Sequence, residues 1–266
     1  MTATNDQSLT AAAAVPRAQK LIAVASGKGG VGKTWFSISL SHALAKQGKK
    51  VLLFDGDLGL ANVDVQLGMM AKRDINDVIE GNVSMKNVIQ HHEDGNFDVI
   101  AGRSGHGSLA ALPAPSLNDI IEQLREVVKD YDAVIIDLGA GIDRTVRFMA
   151  SAADHTFVVT TDEPTALTDA YAFIKLSHAA GQSGNINVVV NMTGSTKEGE
   201  TTYNTLLKAC KNFLKIEPPL IGTIRQDKRV RDAIRAQSLF LTRAPTVETA
   251  EDLEKIAGRV ARDFLK

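Results

Sequence analysis

Eight consecutive residues, Gly27-Lys28-Gly29-Gly30-Val31-Gly32-Lys33-Thr34, fit the pattern G-x-x-x-x-G-K-[ST]. Glycines in such a run let backbone N–H groups converge on phosphate oxygens where a Cβ would crowd them. Lys33 has the reach to meet the β- and γ-phosphates of a nucleotide, and the Thr34 hydroxyl is placed to ligand Mg²⁺. The motif needs a strand before it and a helix after it. Both are in place: Leu21–Ala25 is an apolar run, and Ser37, Leu40 and Leu44 recur at helical spacing. Gly27, Gly29, Gly30, Val31, Gly32, Lys33, Thr34 and Trp35 are therefore the candidate phosphate-binding residues.

Carboxylates follow at other apolar runs. Asp55 and Asp57 close the stretch Val51–Phe54, and Asp137 closes Ala133–Ile136 ahead of Leu138-Gly139-Ala140-Gly141. A strand-end aspartate beside phosphates can hold Mg²⁺ through water or orient an attacking water. Any one of them alone would read as a cap or turn residue. Three beside a phosphate loop point to chemistry.

The elements that must position these residues are legible as a period. Apolar, β-branched runs recur at Leu21–Ala25, Val51–Phe54, Phe97–Ala101, Ala133–Ile136, Phe157–Thr161, Ile186–Val190 and Leu220–Ile224. They are too short for helices and too uniformly apolar for half-exposed strands, so they predict strands covered on both faces. Between them Ser116–Lys129, Ala166–Ala179, Tyr203–Leu214 and Thr246–Leu265 carry helical spacing. The alternation predicts an α/β fold, a doubly wound, mostly parallel sheet with helices on both faces, whose ligands sit at the carboxyl ends of the strands.

Composition removes whole classes. The 266 residues are 44% hydrophobic and 23% charged, which excludes a mainly disordered or collagen-like chain. A formal charge of −1 leaves no global field toward nucleic acid or anionic lipid. The lone Cys210 excludes a disulfide framework and a Cys-ligated zinc or iron–sulfur site within one chain. No apolar run reaches the ~18 residues of a membrane span. Residues 1–20 read as a flexible N-terminal tail, residues 21–266 as one domain, and the whole as cytoplasmic. His91 and His92, beside Glu93-Asp94-Gly95, read as an exposed loop with no case for a metal.

The second lysine of the loop, Lys28, makes the pattern K-G-G-V-G-K-T, and with it the chain resembles the MinD/ParA family of ATPases over nearly its whole length after Lys20. The resemblance implies a P-loop NTPase that binds ATP and Mg²⁺, forms a homodimer with ATP and hydrolyses it slowly to ADP and phosphate. It implies that Lys28 reaches across the dimer to the partner's nucleotide, as an arginine finger would. Asp57 would then position the hydrolytic water, with Asp55 and Asp137 supporting the metal beside Thr34. Asn191 and Asp227 would border the base, and Glu163, before Pro164, would lie near the ribose.

Within the family, Leu58-Gly59-Leu60-Ala61-Asn62-Val63-Asp64, Val99-Ile100-Ala101-Gly102-Arg103-Ser104-Gly105 and Glu163-Pro164-Thr165-Ala166-Leu167-Thr168-Asp169-Ala170-Tyr171 resemble the FlhG branch, which governs flagellar number and placement. Missing cysteines, a missing C-terminal tyrosine cluster and the single phosphate loop set aside the iron–sulfur, tyrosine-kinase and arsenite-pump branches. That branch implies an FlhF-like GTPase or flagellar basal-body and regulatory proteins as partners, and a place at the inner face of the membrane or a cell pole. Asp6-Gln7-Ser8-Leu9 keeps only the opening of the branch's partner-activating segment. The apolar face of the last helix (Val247, Ala250, Leu253, Ile256, Ala257, Val260, Phe264 and Leu265) reads as packed on the sheet rather than on a membrane, since Glu248, Glu251, Asp252 and Glu254 make its polar face acidic. The alternative is a DNA-partitioning or division-site ATPase of the same family. Arg225, Lys228, Arg229, Arg231 and Arg235 could sit on phosphates, although Asp227 and Asp232 dilute them. A small-molecule ligase using the same ATP site is a third class, against which Lys28 argues.

Overall fold

The computed structural model describes residues 20–102, 112–182 and 185–265. Its strands are β1 (Leu21–Ser26), β2 (Val51–Gly56), β3 (Ile89–His92), β4 (Phe97–Ile100), β5 (Ala133–Ala140), β6 (His155–Thr160), β7 (Ile186–Thr193) and β8 (Leu220–Arg225). Its α-helices are α1 (Lys33–Lys46), α2 (Val63–Leu67), α3 (Ile75–Ile79), α4 (Ala114–Val128), α5 (Arg144–Ala152), α6 (Pro164–Ala179), α7 (Thr196–Ala209), α8 (Lys228–Arg235), α9 (Phe240–Arg243) and α10 (Glu248–Asp263). The strands form one sheet in the order β3-β4-β2-β5-β1-β6-β7-β8. Every neighbouring pair is parallel except β3 and β4.

The uniform apolarity of the strands has the cause the pattern suggests. In β1, Leu21, Ala23 and Ala25 face one core, where α4, α5, α6 and α7 also place side chains. Ile22 and Val24 face the other, with α1, α9 and α10. Alternate residues of one strand thus enter different cores, so the middle of each central strand is apolar on both faces. Central helix α1 is buried from Trp35 through Ala45, so it shows no polar face, as expected of a helix enclosed on all sides. α4 is the opposite case, burying the stripe Leu117, Ile120, Ile121, Leu124 and Val127.

The last helix packs on the domain itself. Ala250, Leu253, Ile256, Ala257 and Val260 are buried in the core shared with α1 and β8. Phe264 beyond it sets its ring edge-on to His155 and Phe157. No helix among the described residues is long and apolar enough to cross a membrane.

The expectation for His91 and His92 differs from what is found. They belong to β3, the antiparallel edge strand, where His91 Nδ1 lies 2.7 Å from Asp98 Oδ1 on β4. The half-exposed, polar sequence Ile-Gln-His-His carries no apolar run, because an edge strand has one covered neighbour and little core to meet. The expected tail over residues 1–20, including Asp6-Gln7-Ser8-Leu9, lies outside the described residues up to Lys20, as do Arg103, Ser104 and Gly105.

Candidate functional site

The phosphate loop leaves β1 and turns into α1 at the carboxyl edge of the sheet. Gly32, at φ +87°, is the N-cap of α1, and a Cβ there would lie 2.5 Å from Asn191 Nδ2. A side chain is excluded on both counts. The first intrahelical bond runs from Phe36 N–H to Gly32 C=O at 2.9 Å. It leaves the N–H groups of Lys33, Thr34 and Trp35 ahead of it as donors at the positive end of the helix, which is the arrangement that holds an anion. Gly27 packs so closely on α6 that a Cβ would fall 2.2 Å from the Asp169 carbonyl oxygen.

These donors line a cleft of about 780 Å³ together with Gly29, Gly30, Asp57, Gln66, Glu163 and Met192. Lys33 is 8% exposed. Burial lowers its pKa, and Asp137 and Asp57 pull it back up. Beneath it the Thr34 hydroxyl donates to Asp137 Oδ2 at 2.6 Å, and the Ser37 hydroxyl donates to Asp137 Oδ1 at 2.8 Å. Thr34 and Asp137 offer a hydroxyl and a carboxylate, the hard oxygen donors that suit Mg²⁺. No group of three or more His, Cys, Asp or Glu able to hold a metal occurs among the described residues. A cation here would therefore complete its shell with nucleotide phosphate and water.

The two aspartates after β2 have different surroundings. Asp55 pairs in register with Asp137 of β5 and is 0% exposed. Its Oδ1 accepts from Asp57 N–H, and its Oδ2 accepts from the N–H groups of Asn62 and Val63, both at 3.0 Å. Asp55 thereby ties the β2–α2 loop to the sheet. Asp57 accepts from Leu60 N–H at 3.0 Å and lines the cleft. A Cβ on Gly139 of β5 would come within 3.3 Å of the Asp57 carboxylate.

Three further candidates are held by contacts of their own. Asn191 is 2% exposed; its Nδ2 donates to the Val31 carbonyl at 2.9 Å and its Oδ1 accepts from Met192 N–H. Its amide anchors the phosphate loop to β7. Asp227 caps α8 by accepting from Arg229 N–H and also holds the Arg229 guanidinium at 2.9 Å. Lys28 Nζ lies 2.5 Å from Glu163 Oε2 and donates to Thr165 Oγ1 at 2.8 Å, both at the start of α6.

Burial, followed by the neighbouring Asp137 carboxylate, pushes Asp55 up to about 8 despite its three backbone donors. Burial pushes Asp137 up to about 6 against the Thr34 hydroxyl, Lys33 and the Ser37 hydroxyl. A carboxyl whose folded pKa is raised stabilises the fold at low pH and loses that contribution as pH climbs through the folded value. His42, pushed down to about 4 by burial, acts in the opposite direction, but only below its ordinary 6.5. Asp55 therefore dominates between pH 6.5 and 8. The nucleotide-free protein is expected to lose about 1–2 kcal/mol of stability across that window, read from urea midpoints. A flat or rising profile would mean that the backbone donors keep Asp55 ionised.

The family model described as an AAA domain matches residues 19–190. The chain is 36% identical over 241 residues to the antiactivator FleN of Pseudomonas aeruginosa, covering 91% of this chain and 86% of that protein. It is 34% identical over 240 residues to the flagellum site-determining protein YlxH of Helicobacter pylori, covering 90% and 81%. Among solved structures, the septum site-determining protein MinD of Pyrococcus horikoshii complexed with Mg-ADP superposes with a TM-score of 0.77 at 25% identity, over 91% of this chain and 96% of that one.

Proposed function

The chain belongs to the MinD/ParA family of P-loop ATPases, and from that premise we propose that it is a dimerising switch that controls flagellar number or placement. The flagellar part rests on the likeness to FleN and YlxH over nine-tenths of the chain. ATP and Mg²⁺ would be held in the cleft, the phosphates by the Gly27–Thr34 loop and the cation by Thr34 and Asp137. The residues from Leu21 onward act as one ATPase domain.

The observation that carries the dimer is the direction of Lys28. Two lysines stand in one loop, yet Lys33 lines the cleft and Lys28 does not. Lys28 instead lies at the surface, 36% exposed, held by Glu163 and Thr165. A cation so placed serves a phosphate outside its own cleft, and a second copy of the chain provides one. Leu60 and Met192, at 69% and 37% exposure, leave apolar surface on the cleft lining that such a copy would cover. Asp57 in this reading orients the water that attacks the γ-phosphate, with Lys33 and the partner's Lys28 offsetting the charge that develops.

The DNA-partitioning alternative draws less support. Arg225 is paired with Glu248 and Asp252, and Arg229 with Asp227, so part of the basic cluster is neutralised within the fold.

Light scattering decides the assembly. The mass is expected to double with Mg²⁺-ATP and to stay monomeric with ADP or without nucleotide. A monomer under all three conditions overturns the switch. For the flagellar role, deleting the gene in its host should change flagellar number or position, and the wild-type gene but not Lys33→Ala should restore it.

A further inference from the structure

One residue of β7 departs from the alternation of its strand. Val188 and Val190 enter one core and Val189 the other, so a regular strand would send Met192 the way of Val190. Instead the pairing with β8 slips between Val190 and Thr193, and Met192 takes φ +58°, a left-handed backbone that residues with a Cβ rarely adopt. Its N–H is held there by Asn191 Oδ1 at 2.9 Å. The turn sets the side chain on the cleft lining, 37% exposed. A Cβ on Gly32 would come within 3.2 Å of its terminal methyl. A thioether thus stands beside the N-cap of α1, on surface that a second copy would cover.

The remaining sulfurs among the described residues are placed differently. Met85 and Met149 are buried in the core, and Met69 packs against it. Cys210 is buried, and burial pushes its thiol up to about 11, so it holds little of the thiolate that oxidants attack. Met70 is 93% exposed and takes no part in the cleft lining. Met192 alone joins an accessible thioether to the phosphate-binding cleft, and a thioether needs no deprotonation to react.

We propose that Met192 is an oxidation site, at which a hydroperoxide converts the thioether to a sulfoxide and thereby blocks the ATP-dependent association of two chains. This rests on the reading of the cleft face as the dimer surface. The sulfur lone pair attacks one peroxide oxygen, the O–O bond breaks and an S–O bond forms. The sulfur loses two electrons, and the second peroxide oxygen leaves with the proton as water. The product carries a polar oxygen that water solvates in the monomer and that an apolar partner surface would desolvate. Thiol-dependent reduction by a methionine sulfoxide reductase restores the thioether, so the block is reversible. Nucleotide in the cleft and a second copy over it both shield the side chain. The empty monomer is therefore the sensitive state.

The test treats the full chain with hydrogen peroxide, with and without Mg²⁺-ATP. Peptide mass spectrometry reads oxidation at each methionine, and light scattering reads the ATP-driven rise in mass. Without nucleotide both Met70 and Met192 are expected to gain an oxygen; with Mg²⁺-ATP Met192 should slow several-fold and Met70 should not. In the oxidised wild type the protein concentration at the midpoint of association should rise by at least about tenfold, the effect of one desolvated polar group. Met70→Leu should suffer the same loss on oxidation. Met192→Leu, compared with its own untreated state, should suffer none. Methionine sulfoxide reductase should return the oxidised wild type to its untreated midpoint, a readout that does not depend on how well any variant assembles. Unaltered association with Met192 oxidised overturns the proposal, as does an equal loss in Met192→Leu. A Met192 that resists peroxide in the empty chain, or reacts equally fast with Mg²⁺-ATP, overturns it too. An untreated wild type that stays monomeric with Mg²⁺-ATP is a separate result, which sinks the dimer reading before any peroxide is added and this proposal with it.

Discussion

Asp57→Ala is expected to lower ATP turnover by about 10²–10⁴-fold while the dissociation constant for ATP changes by no more than about threefold, the pattern of a lost proton-handling or water-orienting group. The separation follows from where the contacts lie. The phosphate donors belong to the Gly27–Thr34 loop and the start of α1, and Asn191 rather than Asp57 ties that loop to the sheet. Asp57 enters the cleft from the β2–α2 loop, accepting from Leu60 N–H, with Gly139 leaving room for its carboxylate. Asp57→Asn can keep the Leu60 contact through its amide oxygen and loses the charge, so it should show the same turnover defect if the carboxylate acts on water. Should Asp57→Asn turn over ATP normally, the residue shapes the loop and the catalytic assignment is wrong. Scattering with ATP adds a second reading: both variants should still double in mass, and one that stays monomeric would move Asp57 from hydrolysis to assembly.

How far this site could be read in advance depended on how local its chemistry is. The phosphate loop is contiguous, so its residue types, the preceding strand and the following helix all appear within some twenty positions. Seven strands were equally visible, since a strand covered on both faces is apolar along most of its length. β3 was not visible, because an edge strand bearing Gln90, His91 and His92 meets only β4. α8 was legible only as a cluster of charges, because Val230, Ala233 and Ile234 make too short an apolar stripe to stand out among its five charged residues.

Long-range partners were the larger gap. Asp55 and Asp57 are two residues apart and look equivalent in the sequence. Only the folded loop distinguishes them, because both Asp55 oxygens are taken by the backbone of residues 57, 62 and 63, and Asp57 remains on the cleft. The Asn191 amide meets the Val31 carbonyl across 160 positions, a contact no spacing rule contains. Trp35 could be placed in the phosphate-binding run by its position, but its burial against Phe240 of α9 could not be read there.

The two lysines of the loop give the sharpest contrast the molecule offers. Lys33 is a buried cation that Asp137 and Asp57 hold charged against the cost of desolvation. When phosphates arrive, the same charge faces them without having to be brought in from water, so its interactions are charge-assisted and strong. Lys33→Ala removes that cation and leaves Asp137 and Asp57 opposing the incoming anion. ATP affinity should fall by at least about 100-fold, as expected for two lost charge-assisted hydrogen bonds. Lys28 is different in every respect that matters. It is partly exposed, does not itself line the cleft, and is held by Glu163 at the cleft's edge and by Thr165. An exposed ion pair of this kind contributes little to stability, so Lys28→Ala should fold normally. Its affinity for ATP as a monomer should stay within about twofold of wild type, while turnover and the ATP-dependent rise in mass should both be lost. Titration calorimetry at low protein concentration separates binding from assembly, and scattering at high concentration reports assembly alone. A Lys28→Ala protein that hydrolyses ATP at the wild-type rate would remove the cross-subunit role. One that binds ATP as poorly as Lys33→Ala would return Lys28 to its own phosphate loop, and the carrying argument for a dimer would go with it.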